Sequence, residues 1–175
     1  DMARARAVLT SWGLNVKKGP NLLAAYNTFA GEDEKRLSDL QEMIDDPEVK
    51  AVLCARGGYG TARFIDRVDF RPLYRSPKWI TGFSDVTSLH CALHKAGFQS
   101  IHGSMPVFFG REEAAIGTES AREALFGELH SVRIPAEEGN ITGEAEGTVT
   151  GGNLSILIDE LATKGQVSTD GKILF

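Results

Sequence analysis

The sequence predicts an α/β protein: a parallel sheet with helices on both faces, plus the start of a second domain. Three observations carry that expectation. Amphipathic helical stretches alternate with short apolar runs in the order αβ-αβ-αβ-α, the pattern of a parallel sheet covered by helices. Three of the apolar runs end in corners rich in glycine or histidine: Arg56-Gly57-Gly58-Tyr59-Gly60, Gly82-Phe83-Ser84-Asp85 and His102-Gly103. After His130 the alternation gives way to polar, loop-like sequence. Residues 1–135 therefore read as a Rossmann-like domain, and residues 136–175 as a linker and the beginning of a C-terminal domain.

Each element has its own local reason. Met2 to Trp12 reads as a helix, with Ala3, Ala7, Val8, Leu9 and Trp12 as an apolar stripe and Gly13 as its stop. Leu14-Asn15-Val16 is expected to be a short strand, closed by Gly19-Pro20. The chain opens inside a helix, which reads as a sign that a first strand has been cut away. Asn21 to Gly31 is loop-like, with Tyr26 and Phe29 as candidate anchors. Glu32 to Asp45 is helical, with Leu37, Leu40, Met43 and Ile44 on one face. Asp46-Pro47 ends it, because the residue before proline is pushed out of the helical region. Val49 to Ala55 reads as a strand buried on both faces. Thr61 to Ile65 starts a helical turn, and a short helix is expected around Phe70 to Tyr74.

Lys78 to Thr81 is the next strand, followed by a sharp turn at Gly82-Phe83-Ser84. A helix from Asp85 to Ala96 packs through Val86, Leu89, Ala92 and Leu93 and stops at Gly97. Phe98 to Ile101 is a strand, and Thr118 to Leu129 a helix capped by Thr118 or Ser120. Thr142 to Val149 alternates small and charged residues, as an exposed strand does. Gly151-Gly152-Asn153 opens a helix carrying Leu154, Ile156, Leu157 and Leu161, and Lys172 to Phe175 is a final strand.

Composition narrows the function classes. Apolar residues make up 42% and charged residues 25% of the 175, ordinary for a soluble globular protein. Nineteen basic against 24 acidic residues leave a net charge of −5, so no basic footprint points to nucleic acid. No apolar run approaches the ~18 residues of a membrane helix, and no signal-peptide pattern opens the chain. Cys54 and Cys91 fall inside core elements, which suits buried free thiols and a reducing compartment, the cytoplasm.

The candidate site begins at Ser84. A serine at a strand-to-helix corner can present its hydroxyl at the sheet edge beside the N–H groups of the helix start, as in a nucleophile elbow. It can equally be a plain N-cap, and Val86 stands where the second glycine of Gly-x-Ser-x-Gly would be. Arg56 to Gly60 suits close backbone approach to a ligand. It fits a phosphate cradle, or an oxyanion donor with a carboxylate-binding arginine, and Arg56 could instead brace the loop. Tyr59-Gly60-Thr61-Ala62 lacks the Gly-Lys-Ser/Thr of a phosphate loop. His102 reads as a base or a structural histidine. His90 and His94 share a helix face but lack the glutamate of a zinc helix. His130 sits at a helix C-terminus, where it suits the dipole. Gly151-Gly152-Asn153 either faces a ligand or packs a helix start against the sheet.

These motifs, in this order from about Leu14 to Phe175, resemble the LD-carboxypeptidase family (serine peptidase family S66, which includes microcin-C7 immunity-type enzymes). The resemblance implies hydrolysis of a bond between an L- and a D-amino acid, typically removal of the terminal D-Ala from a murein tetrapeptide in cytoplasmic cell-wall recycling. It implies Ser84 as nucleophile, N–H groups of Gly57, Gly58 and Asp85 as oxyanion hole, and Arg56, Tyr59 and His102 at the substrate. It implies no metal and no other cofactor. The expected partner is a muropeptide, with neither nucleic acid nor membrane, and a homodimer is compatible. The family's triad is Ser-Glu-His, with Glu and His in a C-terminal domain. That Glu would follow a strand resembling Lys172-Ile173-Leu174-Phe175, so no residue here is assigned as the base. Because triad members act as a unit, the 175 residues alone are expected to be nearly inactive. Two rivals stay open: an immunity-type amidase acting on an acyl-sulfamoyl nucleotide, and a non-catalytic module holding a nucleotide or sugar at Arg56 to Gly60.

Overall fold

A computed structural model describes residues 1–129 and 131–175; the expectation for His130 lies outside them. Strands β1 (Ala51–Leu53), β2 (Trp79–Gly82) and β3 (Ile101–His102) form a parallel sheet in the order β1-β2-β3. Leu53 pairs with Thr81, Thr81 with Ile101 and Gly82 with His102. The strands therefore end at a common edge, where Arg56–Gly60, Ser84 and His102 follow. Ligands of open α/β sheets bind at that carboxyl edge.

The helices are α1 (Met2–Ser11), α2 (Asp33–Asp45), α3 (Thr87–Lys95), α4 (Ala115–Phe126) and the short α5 (Leu154–Asp159). Ile44 of α2 and Leu89 and Leu93 of α3 bury against Ile80 and Met105, with Val52 of β1 packed on them. Ala5 and Leu9 of α1 and Ala121 of α4 close around Phe109, with Leu53 packed on them. Adjacent strand residues point to opposite faces, so Val52 and Leu53 put these two clusters on opposite sides of the sheet. Each fully buried Ile or Leu contributes roughly 1.5–3 kcal/mol.

Several expectations change: the strand expected over Phe98–Ile101 is confined to Ile101–His102, and the one expected over Val49–Ala55 to the half-buried Ala51–Leu53. Leu14–Val16 forms no strand. A groove of about 840 Å³ separates Gly13–Gly19 on one wall from Val49–Leu53 on the other, so Leu14–Val16 has no neighbour to pair with. The fourth helix begins at Ala115 after a 3-10 turn at Glu112–Ala114, capped by neither Thr118 nor Ser120, and stops at Gly127 in left-handed backbone. Of Thr142–Val149, only Val149 joins a strand, β4 (Val149–Thr150), paired in parallel with β5 (Ile173–Leu174). Residues 142–147 are exposed and pair with no strand among the described residues, while the Thr148 carbonyl accepts from the Ile173 N–H of β5 at 2.9 Å. No described helix is long and apolar enough to cross a membrane.

Candidate active site

β2 ends at Gly82, Phe83 is extended, and Ser84 takes φ 63 before a 3-10 turn, Ser84–Val86, leads into α3. A non-glycine residue in left-handed backbone costs about 1–3 kcal/mol and persists only where its surroundings impose it. Gly82 is part of that imposition: a Cβ there would stand 2.9 Å from both Val86 methyls, so the turn folds back onto the strand. The Gly82 carbonyl is held from two sides, by the Gly103 N–H at 3.1 Å and His90 Nε2 at 2.9 Å. Ser84 makes no side-chain cap bond to the helix it precedes, which removes the plain capping alternative. Its Oγ bonds to no described residue.

The glycine-rich loop lies directly against this serine. Its entrance is tied by the Cys54 N–H to Thr81 O at 3.0 Å and by the Val107 N–H to Ala55 O at 3.0 Å. A Cβ on Gly57 would lie 3.0 Å from Ser84 Cβ and 3.3 Å from its Oγ, whereas one on Gly58 would meet nothing within 4 Å. A Cβ on Gly60, which sits at φ 88, would fall 2.9 Å from the Phe29 ring, so Phe29 packs closely against this loop as an anchor. Among the described residues, the N–H groups of Gly57, Gly58 and Asp85 donate to nothing. Arg56 Nε donates to the Gly57 carbonyl at 3.0 Å. The bracing alternative is thus realised, while the other guanidinium N–H groups stay unpaired among the described residues. Tyr59, 71% exposed, stands at the loop tip.

His102 is exposed at the end of β3, with its ring 6.3 Å from Phe83 and 5.6 Å from Phe175 between centroids. Partial burial holds it below the ordinary histidine value. His90 is buried. Gly82 O can only accept, so His90 Nε2 carries the proton and Nδ1 accepts from Ser100 at 2.8 Å. Burial keeps this ring neutral by lowering its pKa. His94 Nε2 lies 2.7 Å from Lys172 Nζ, and burial together with that cation lowers its pKa as well. The two rings thus serve separate partners. No group of three His, Cys, Asp or Glu among the described residues could hold a metal ion. Burial pushes the free thiols of Cys54 and Cys91 up to about 12 and about 11, which leaves them inert.

Two contacts were invisible in the sequence. The buried Asp85 carboxylate accepts from the Thr61 N–H at 3.1 Å and Thr61 Oγ1 at 2.6 Å, with Arg36 at 3.8 Å. Thr87 Oγ1 accepts from the Asn153 N–H at 2.9 Å, and the Gly152 N–H donates to Phe175 O at 2.8 Å. Gly151-Gly152-Asn153 therefore packs a helix start against α3, with Asn153 Oδ1 capping α5 through Ile156 N–H. Thr61, directly after Gly60, and Thr87, at the start of α3, were the signals available.

Fold and site together describe an α/β domain that presents a strained serine to a facing glycine loop. The chain belongs to the LD-carboxypeptidase family S66: the family's description, "LD-carboxypeptidase N-terminal domain", matches residues 1–103. It is 40% identical over 172 residues to a probable murein peptide carboxypeptidase of Bacillus subtilis, covering 95% of this chain and 54% of that protein. The crystal structure of muramoyltetrapeptide carboxypeptidase from Oxalobacter formigenes superposes with a TM-score of 0.87 at 33% identity, over 99% of this chain and 59% of that one. A MccF-like protein from Bacillus anthracis gives 0.84 at 25%, over 99% and 60%. The chain thus spans a little over half the length of these relatives.

Proposed function

We propose that Ser84 is the nucleophile of a serine-type LD-carboxypeptidase that removes the terminal D-Ala of a murein tetrapeptide in cytoplasmic cell-wall recycling. The observation that carries this reading is the direct apposition of Gly57 and Ser84, a strained serine facing backbone N–H groups with no other partner among the described residues. Ser84 Oγ attacks the carbonyl of the L–D bond, and the tetrahedral oxyanion rests on N–H groups of Gly57, Gly58 and Asp85. Collapse expels the amine of D-Ala, and water then hydrolyses the acyl-enzyme. The unpaired N–H groups of Arg56 hold the substrate's terminal carboxylate, with Tyr59 and His102 beside the peptide. Ser84 touches no base among the described residues, and by the family resemblance the proton acceptor is a histidine of the C-terminal domain. Residues 1–135 are the nucleophile-bearing domain, and 136–175 lead into the domain that supplies the Glu and His. No metal or cofactor takes part.

The names of the Bacillus subtilis and Oxalobacter formigenes relatives support the muropeptide substrate. The MccF-like neighbour supports a second reading, the same acyl chemistry applied to an immunity-type amidase substrate. The test uses the full-length protein and follows D-Ala release from an L,D-tetrapeptide, with an acyl-sulfamoyl nucleotide as the competing substrate. Ser84→Ala should lose on the order of 10⁶ in turnover with its circular dichroism unchanged. Near-normal activity in that variant would remove Ser84 from the mechanism. The 175-residue chain alone should release almost no D-Ala.

A further inference from the structure

We infer that the Asp85 carboxylate is a positioning residue that clamps the glycine-rich loop onto the Ser84 corner; this rests on the acyl-transfer reading above. Besides the packing of Phe29 on Gly60, hydrogen bonds hold the loop at its two ends. Its entrance is tied by the backbone bonds of Cys54 and Ala55 to the sheet edge and to Val107. Its exit is tied by Asp85, whose Oδ2 takes both the N–H and the hydroxyl of Thr61, the residue after Gly60. Between these points, the internal bond from Arg56 Nε to the Gly57 carbonyl holds the loop only to itself.

Asp85 therefore carries two tasks with one residue. Its N–H is a donor of the oxyanion hole, and its side chain sets where the other donors, Gly57 and Gly58, stand relative to it. A third segment joins from α2: Arg36 approaches the carboxylate at 3.8 Å and lies over the Phe64 ring at 4.8 Å. A buried carboxylate is costly without such partners, and here they all come from segments that frame the serine. Oxyanion donors must sit within a narrow distance of the developing charge. Loss of the exit tie therefore affects the chemical step more than substrate affinity.

Replacing Asp85 itself risks folding, so the decisive variants are at Thr61 in the full-length protein. Thr61→Val keeps the shape and the N–H but removes the hydroxyl donor. It should lower kcat about tenfold with KM within about twofold, since small misplacements of catalytic groups cost up to about 10²-fold. Thr61→Ser, which restores the hydroxyl and drops the methyl, should recover most of kcat. If Thr61→Val turns over normally, or if Thr61→Ser is as impaired as Thr61→Val, the clamp is wrong and Thr61 merely packs. Ser84→Ala separates the two levels. An inactive Ser84→Ala with a normal Thr61→Val overturns the clamp alone, and an active Ser84→Ala overturns both.

Discussion

Arg56–Gly60 and Gly151–Asn153 each follow a strand, each are rich in glycine, and each lie in contact with the turn that runs from Ser84 to Thr87. They differ in what occupies the space a side chain would take. At Gly57 that space borders Ser84, and the loop's N–H groups have no partner among the described residues. At Gly151 and Gly152 it is filled by the Phe175 backbone and by Thr87, and the N–H groups of Gly152 and Asn153 are already engaged. A glycine cluster at a strand end is therefore a ligand loop only where its donors remain free. Where they are satisfied internally, glycine serves close packing.

That contrast can be broken most strongly at Gly151. A Cβ there would fall 1.9 Å from Phe175 O, at φ +143, so Gly151→Ala should cost about 3 kcal/mol or more. A thermal melt should show Tm falling by roughly 10 °C. Gly57→Ala should do the opposite: Ser84 must yield by a few tenths of an ångström, and kcat should fall about 10²-fold while Tm barely moves. Steady-state kinetics and a melt on each variant decide the matter, and exchanged outcomes would reverse the assignment of the two stretches.

Acid should loosen both regions through their histidines. His90 holds the Gly82 carbonyl beside Ser84, and His94 meets Lys172 next to β5. His90, His94 and His102 all titrate below their ordinary value. The unfolded chain then takes up protons first, so this stability is complete above the ordinary histidine pKa of about 6.5 and is lost as pH falls towards the folded values. Tm should drop between about pH 7.5 and about pH 5.5, and Lys172→Met should flatten part of that drop by removing the cation beside His94. A Tm independent of pH over that interval would contradict the assigned protonation states. The smallest effect belongs to Gly58, whose missing Cβ would meet nothing: Gly58→Ala should change stability by no more than about 0.5 kcal/mol.

Much of this arrangement was legible beforehand because it is local. Ile44, Leu89 and Leu93 repeat at helical spacing and do bury, and Gly82-Phe83-Ser84-Asp85 announces a sharp turn between a strand and a helix. Leu14–Val16 misled because an apolar run shows the preference for a strand but not the presence of a neighbour to pair with. Thr142–Val149 misled for the same reason. The Asp85–Thr61 bond, spanning 24 positions, and the bond between His94 and Lys172, spanning 78, leave no periodicity to read.

The order of elements, the opposite faces of the sheet and the corner that holds Ser84 follow from hydrophobic spacing and turn chemistry within a few residues, so the sequence determined them alone. Which glycine stretch keeps its N–H groups free, which histidine braces a carbonyl and which carboxylate ties the loop to the serine were decided only by the tertiary structure. Each depends on groups far apart in the chain arriving within hydrogen-bond distance, and that proximity is a property of the packed fold.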